Sequence, residues 1–70
     1  MFKKVCIIGC GLIGSSIARA IKKYNLAEKV VSCNRSDDVN RKVIELNIVD
    51  NSSKDPKKMV DGSDLIIIAT

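Results

Sequence analysis

The sequence predicts an α/β domain: a parallel sheet with helices on both faces. Three observations carry the prediction. Short, wholly apolar runs such as "VCII", "VVSC" and "LIIIA" read as strands buried on both faces. The segments between them repeat their apolar residues at steps of three and four, the period of an amphipathic helix. Strict strand–helix alternation then demands parallel pairing through right-handed crossovers.

The first strand is expected at 3–9 ("KKVCIIG"). A helix follows, with Ile13, Ile17, Ala20, Ile21 and Tyr24 as its apolar face. Arg19, Lys22 and Lys23 suit its carboxyl end, and Asn25 is its stop. "EKVVSCN" is a second strand, 29–34. In "RSDD", Ser36 or Asp37 caps a second helix, 38–46, with Val39, Val43 and Leu46 as its stripe. A weak third strand is expected at 49–53 and a short helical turn at 56–60, opened by Pro56. "LIIIAT" is a fully apolar last strand running to residue 70. The order β-α-β-α-β-α-β is that of one mononucleotide-binding, Rossmann-type half, with expected strand order 3-2-1-4.

Composition narrows the functional classes. The chain has 70 residues, room for one small domain. Aromatics are only 3%, so Ile, Val, Leu and Ala must form the core. The net charge of +4 is spread over separate lysine pairs, which read as solvated surface. No basic stripe interleaved with aromatics is present, so nucleic acid is not an expected partner. The apolar run after Lys3 and Lys4 is too short for a signal peptide or a membrane span, so no membrane is expected either. Cys6, Cys10 and Cys33 form no CxxC pair and have no histidine to complete a metal set. Reduced thiols in a cytoplasmic protein are the expectation, with Cys6 a small core residue.

The stretch "IGCGLIGSS" carries the functional signal. Gly9, Gly11 and Gly14 fit G-x-G-x-x-G at the end of a strand and the start of a helix. Gly9 allows the sharp turn, Gly11 a close approach of pyrophosphate to backbone, and Gly14 tight helix–strand packing. The amides from Leu12 through Ile13 to Gly14 then face the anion, aided by the helix dipole. Ser15 and Ser16 either permit close packing or add a hydroxyl to a phosphate.

NAD-specific folds place an Asp or Glu about 20 residues beyond the last glycine, where it binds the adenine ribose. Here Asn34 occupies that place, followed by Arg35 and Ser36. Asn34 does not repel a 2′-phosphate, Arg35 pairs with it, and Ser36 adds a neutral hydrogen bond. NADP is therefore favoured over NAD, although Asp37 and Asp38 lie close enough to weaken the site unless they serve the helix start.

"VCIIGCGLIGSSIARAIKK", "NRS" and "DGSDLIIIAT" together resemble the amino-terminal, coenzyme-binding part of prephenate/arogenate (cyclohexadienyl) dehydrogenases. "LNIVD" is similar to that family's "LGIID". The resemblance implies an NAD(P)-dependent oxidative decarboxylation in tyrosine biosynthesis. It places Gly9, Gly11, Leu12, Ile13 and Gly14 in the coenzyme loop and Asn34, Arg35 and Ser36 at the adenine ribose. Ala69 and Thr70 fall beside the diphosphate and the nicotinamide-side ribose. The family's substrate-activating histidine and carboxylate-holding arginine, and its helical dimer-forming domain, are expected beyond residue 70. The chain (1–70) is thus expected to be a coenzyme-binding portion without catalytic residues, inactive alone and part of a homodimer when full-length. Fragments of pyrroline-5-carboxylate reductases or β-hydroxyacid dehydrogenases, a nucleotide-sensing module, and a piece that completes its sheet with another chain are the alternatives.

Overall fold

A computed structural model of the chain describes residues 1–69; Thr70, expected beside the coenzyme, lies outside them. The elements follow the predicted order: β1 (Phe2–Ile8), α1 (Leu12–Lys23), β2 (Ala27–Cys33), α2 (Asp37–Glu45), β3 (Asn51–Ser53), α3 (Pro56–Val60) and β4 (Leu65–Ile68). The four strands pair in parallel in the order β3-β2-β1-β4. Every strand therefore ends on the same edge of the sheet. The loops after β1, β2 and β3 gather there, and so does any site they form.

β2 starts two residues earlier than expected, because Ala27 pairs with Phe2 and Leu26 accepts the Phe2 amide at 2.9 Å. Val5, Cys6 and Ile7 of β1 and Val30, Val31 and Ser32 of β2 are buried at the centre of the sheet. One face packs Val5, Ile7 and Val30 against Ala18 and Ile21 of α1 and Val43 of α2. The other face is thinner: Cys6, Val31 and Cys33 are covered by Met59 of α3.

Both long helices bury part of the expected stripe, Ile17 and Ile21 in α1 and Val39 and Val43 in α2, but are rotated from it. In α1 the inward residues are Gly14, Ala18 and Ile21, with Ile17 partly buried, whereas Ile13, Ala20 and Tyr24 face outward. The contact of Gly14 with β1 sets the rotation of the helix, and the periodic set 14, 17, 18, 21 follows from it. In α2 the buried residues are Asn40 and Val43, while Leu46 is exposed. A polar residue takes the core position because it joins a hydrogen-bond network described below.

The turns have local causes. Ser36 caps α2, accepting the Val39 amide at 3.3 Å. Asp55 caps α3, with Pro56 in its first turn. Asn25 (φ +52°) and Asn47 (φ +60°) end the long helices in the left-handed region that asparagine tolerates better than other side chains. Asp50, the last residue of "LNIVD", accepts the Val30 amide at 2.8 Å and pairs with Lys22 at 3.1 Å, joining β2 to the end of α1.

β4 departs from the expected doubly covered strand. It stops at Ile68, although the Ala69 amide still bonds the Ile8 carbonyl at 2.9 Å. It lies on the sheet's edge with Leu65 and Ile67 partly buried and Ile66 and Ile68 exposed. Among the described residues, no helix is long and apolar enough to cross a membrane.

Candidate functional site

The three glycines of the β1–α1 loop exist for different reasons. Gly9 has φ +85°, which L side chains rarely adopt, and its amide bonds the Cys33 carbonyl at 2.9 Å. A Cβ on Gly14 would stand 2.6 Å from the Gly9 carbonyl oxygen and 3.3 Å from Ile7 Cγ2, so close helix–strand packing excludes a side chain there. Gly11 is unlike both. Its φ of −82° is negative, its ψ of −149° lies outside the extended region, and a Cβ built on it meets no atom within 4 Å. No packing contact in this chain fills the space at residue 11.

The start of α1 faces that space. Gly11 is the N-cap and provides no side-chain cap, and the first turn holds no acidic residue. The first helical bond runs from the Ser15 amide to the Gly11 carbonyl at 2.8 Å. The amides of Leu12, Ile13 and Gly14 precede it and have no acceptor in the helix ladder. A 12-residue helix with free amides and no negative charge at its start is an anion cradle. The backbone space at Gly11 and these donors together fit a diphosphate. Both serine hydroxyls are engaged within the chain: Ser15 donates to the Cys10 carbonyl at 3.4 Å and Ser16 to the Leu12 carbonyl at 3.1 Å.

A groove lies on each side of the loop. The first, about 560 Å³, is lined by Gly9, Asn34, Arg35, Lys54 and Pro56, with Ile8 and Cys33 at its base. The second, about 490 Å³, is lined by Leu12, Ile13, Ile17, Ile68 and Ala69. The anion cradle therefore sits between a basic groove and an apolar one.

In the basic groove, Arg35 is exposed and joins none of the ion pairs among the described residues. The two acids that follow are both occupied: Asp38 pairs with Arg41 at 2.6 Å and Asp37 with Lys54 at 3.2 Å. They also stand in the first turn of α2, where the helix favours them. Ser36 uses its oxygen as the α2 cap and keeps its hydroxyl proton for a further acceptor. Lys54 is a site residue that local motif reading misses. The strand order 3-2-1-4 announces it, because the residue after β3 must stand beside the residues after β2.

Asn34 corrects the expectation placed on it. It borders the groove, but its side chain turns inward. Its Oδ1 accepts the Cys10 amide. Its Nδ2 reaches Asn40 Oδ1 at 3.0 Å and the hydroxyls of Ser32 and Ser52 at 3.3 Å each. Its carbonyl accepts Asn40 Nδ2 at 3.1 Å. Both ends of the side chain are engaged within the chain, and Oδ1 keeps one lone pair beyond the Cys10 amide at the edge of the groove.

Cys6, Cys10 and Cys33 are all free and buried. Burial, reinforced by the Cys33 charge, pushes the Cys6 thiol above its ordinary range, with Lys4 opposing weakly. Burial and then Asp55 push Cys33 in the same direction. The thiol at the base of the basic groove is thus held neutral, which suits a wall and not a nucleophile.

A parallel α/β sheet whose first strand opens through a glycine turn onto a free helix start, between two grooves, defines a dinucleotide-binding domain. More particularly, the chain belongs to the family described as "NADP oxidoreductase coenzyme F420-dependent", whose model matches residues 4–70. It is 40% identical over 68 residues to the cyclohexadienyl dehydrogenase of Zymomonas mobilis, a match covering 97% of this chain and 23% of that protein. Among solved structures it matches the prephenate dehydrogenase from A. aeolicus in complex with hydroxyphenyl propionate and NAD+, with a TM-score of 0.91 and 21% identity. That match covers all of this chain and 25% of the other; it shows the fold. The chain thus spans about a quarter of the length of these relatives. The resemblance to cyclohexadienyl dehydrogenases is supported.

Proposed function

We propose that this chain is the coenzyme-binding part of an NAD(P)-dependent prephenate/arogenate dehydrogenase and that it prefers NADP. The open space at Gly11 carries the reading, since a side chain there would meet no atom of the chain itself. The amides of Leu12, Ile13 and Gly14 hold the diphosphate. Arg35 binds the 2′-phosphate as a charge-assisted donor, the Ser36 hydroxyl proton adds a neutral bond, and Lys54 is a second cation at the same lip. Ala69, with Thr70 after it, stands at the nicotinamide side beside the apolar groove.

A dinucleotide held by Gly9, Gly11, Leu12, Ile13 and Gly14 would supply a hydride acceptor for the hydroxyl-bearing carbon of a prephenate- or arogenate-type ring, an oxidation coupled in this reading to loss of CO2. This chain contains no histidine, and none of its residues is assigned to proton transfer from that hydroxyl. We assign that step to other regions of a full-length homodimeric enzyme, and an odd number of cysteines without a CxxC pair supports a reducing, cytoplasmic setting as part of the same reading.

Titration of the chain with NADPH and NADH, followed by nicotinamide fluorescence, tests the reading. NADPH is expected to bind about tenfold to hundredfold more tightly, the contribution of one charge-assisted hydrogen bond. Binding of neither dinucleotide overturns the proposal, and equal affinities overturn its NADP part. Turnover of prephenate or arogenate by the chain alone would overturn the assignment of catalysis to other regions.

A further inference from the structure

The end of β2 is the position at which dinucleotide folds choose their coenzyme, through an acid that reaches the ribose. We infer that the same position has another role in this chain. Asn34 is a positioning residue that holds the diphosphate loop in shape, and it takes no part in selecting the coenzyme. The inference rests on the dinucleotide reading above and deepens it.

Hydrogen-bond chemistry fixes both amide orientations. The Cys10 amide is a donor only, so the Asn34 atom facing it must be Oδ1, as observed. The Asn34 carbonyl is an acceptor only, so the Asn40 atom facing it must be Nδ2. Asn34 Nδ2 then points at Asn40 Oδ1, 3.0 Å away, and at Ser32 and Ser52. Ser52 in turn donates to Asn40 Oδ1. The cluster is closed: Ser32 and Asn40 are buried, and no buried side-chain nitrogen or oxygen among the described residues lacks a partner.

Its single link to the loop is the bond to the Cys10 amide. Cys10 stands between the turning glycine and the open one, with its thiol buried. Together with the Gly9 amide on the Cys33 carbonyl, that bond ties the loop to the end of β2. The loop's path, and so the direction of the amides that follow it, depends on Asn34.

An aspartate fits this place poorly. It would keep the acceptor toward Cys10 and could accept from the Ser32 and Ser52 hydroxyls, but its second oxygen would face Asn40 Oδ1, where Nδ2 now donates. The substitution that would ordinarily shift a dinucleotide site toward NAD should here loosen the loop and weaken both coenzymes together.

The test compares the chain with Asn34→Asp, Asn34→Ala and Ser52→Ala at a temperature where circular dichroism shows each folded. Iodoacetamide labelling, mapped by mass spectrometry, reads the loop without any ligand. Asn34→Asp and Asn34→Ala should speed Cys10 labelling about tenfold, the effect of one hydrogen bond, with Cys6 and Cys33 unchanged. NADPH and NADH affinities should fall together by about the same factor, leaving their ratio unaltered. Ser52→Ala, which keeps the Asn34–Cys10 bond, should lower the unfolding midpoint and weaken both affinities less than the Asn34 variants do. A swing toward NADH in Asn34→Asp, or Cys10 as protected in the variants as in the parent, overturns the inference. Should the Asn34 variants not fold, amide exchange in the parent decides: Cys10 protected and Leu12 and Ile13 exchanging fast supports it, and fast exchange at Cys10 overturns it. Failure of the parent to bind either dinucleotide sinks the proposed function instead, while the labelling result still judges the loop.

Discussion

The two sides of the β1 mouth are built on opposite plans. Toward β2 and β3, polar side chains are buried and mutually satisfied: Ser32 is 0% and Asn40 6% exposed. Toward β4, large apolar side chains stand in water: Leu12 is 89%, Ile13 70% and Ile68 74% exposed. On the first side the buried polar network is complete in itself, so changes to its members act on folding and on the loop it holds, while the exposed Arg35 and Lys54 at its lip act on the ligand. On the second side little within the chain depends on the side chains, so changes there leave folding alone and act on whatever contacts that surface. Gly14 and Gly11 repeat the contrast three residues apart, one constrained by the chain and the other open.

The sharpest way to break this contrast is to give both glycines the same side chain. Gly14→Val drives a β-branched group into the Gly9 carbonyl, 2.6 Å from the first added carbon, and should cost about 3 kcal/mol or more, read as loss of the cooperative urea transition. Gly11→Val should change stability by about 1 kcal/mol or less yet weaken dinucleotide binding about a hundredfold. Equal effects of the two on stability would erase the distinction.

Next, Asn40→Leu removes the partner of both the Asn34 amide and carbonyl and should cost about 2–3 kcal/mol by urea denaturation. Leu12→Ser on the other side should stay within about 0.5 kcal/mol. Smaller still is the effect of charge in the basic groove. Arg35→Ala should weaken NADPH about tenfold and NADH scarcely, and Lys54→Ala should give only a few-fold loss because exposed ion pairs are worth about 1 kcal/mol or less.

The smallest effect is on pH dependence. The folded chain holds the Cys6 and Cys33 thiols protonated above their ordinary value of 9.0. The unfolded chain loses those protons first, so stability is full below that value and falls as pH climbs above it. The urea midpoint should decline on the alkaline side, and Cys6→Ala should flatten the decline.

Much of this molecule is legible in its sequence. The apolar runs give the strands, Gly9 and Gly14 give the turn and the helix contact, and alternation gives the strand order. What stays hidden depends on side-chain direction. Isoleucines at 13, 17 and 21 and alanines at 18 and 20 spread over so wide an arc of α1 that periodicity alone leaves its rotation open; the contact at Gly14 decides it. Asn34 looks like a ribose ligand because its place in the motif is right, and only the partners at Cys10, Asn40 and Ser52 reveal its inward turn. Lys54 and Arg35 are far apart in the chain and meet only through the sheet.

The unequal covering of the sheet has a mechanical consequence. One face lies under α1 and α2, whereas the other depends on the five residues of α3 and the single thioether of Met59. A plate clamped firmly above and lightly below breathes from below. Lifting α3 would bare the sulfurs of Cys6 and Cys33 and tug on Lys54, whose backbone leads straight into that helix. The lip of the basic groove is thus joined through Asp55 to the more thinly covered face, and the Asp37–Lys54 pair fastens that lip to α2.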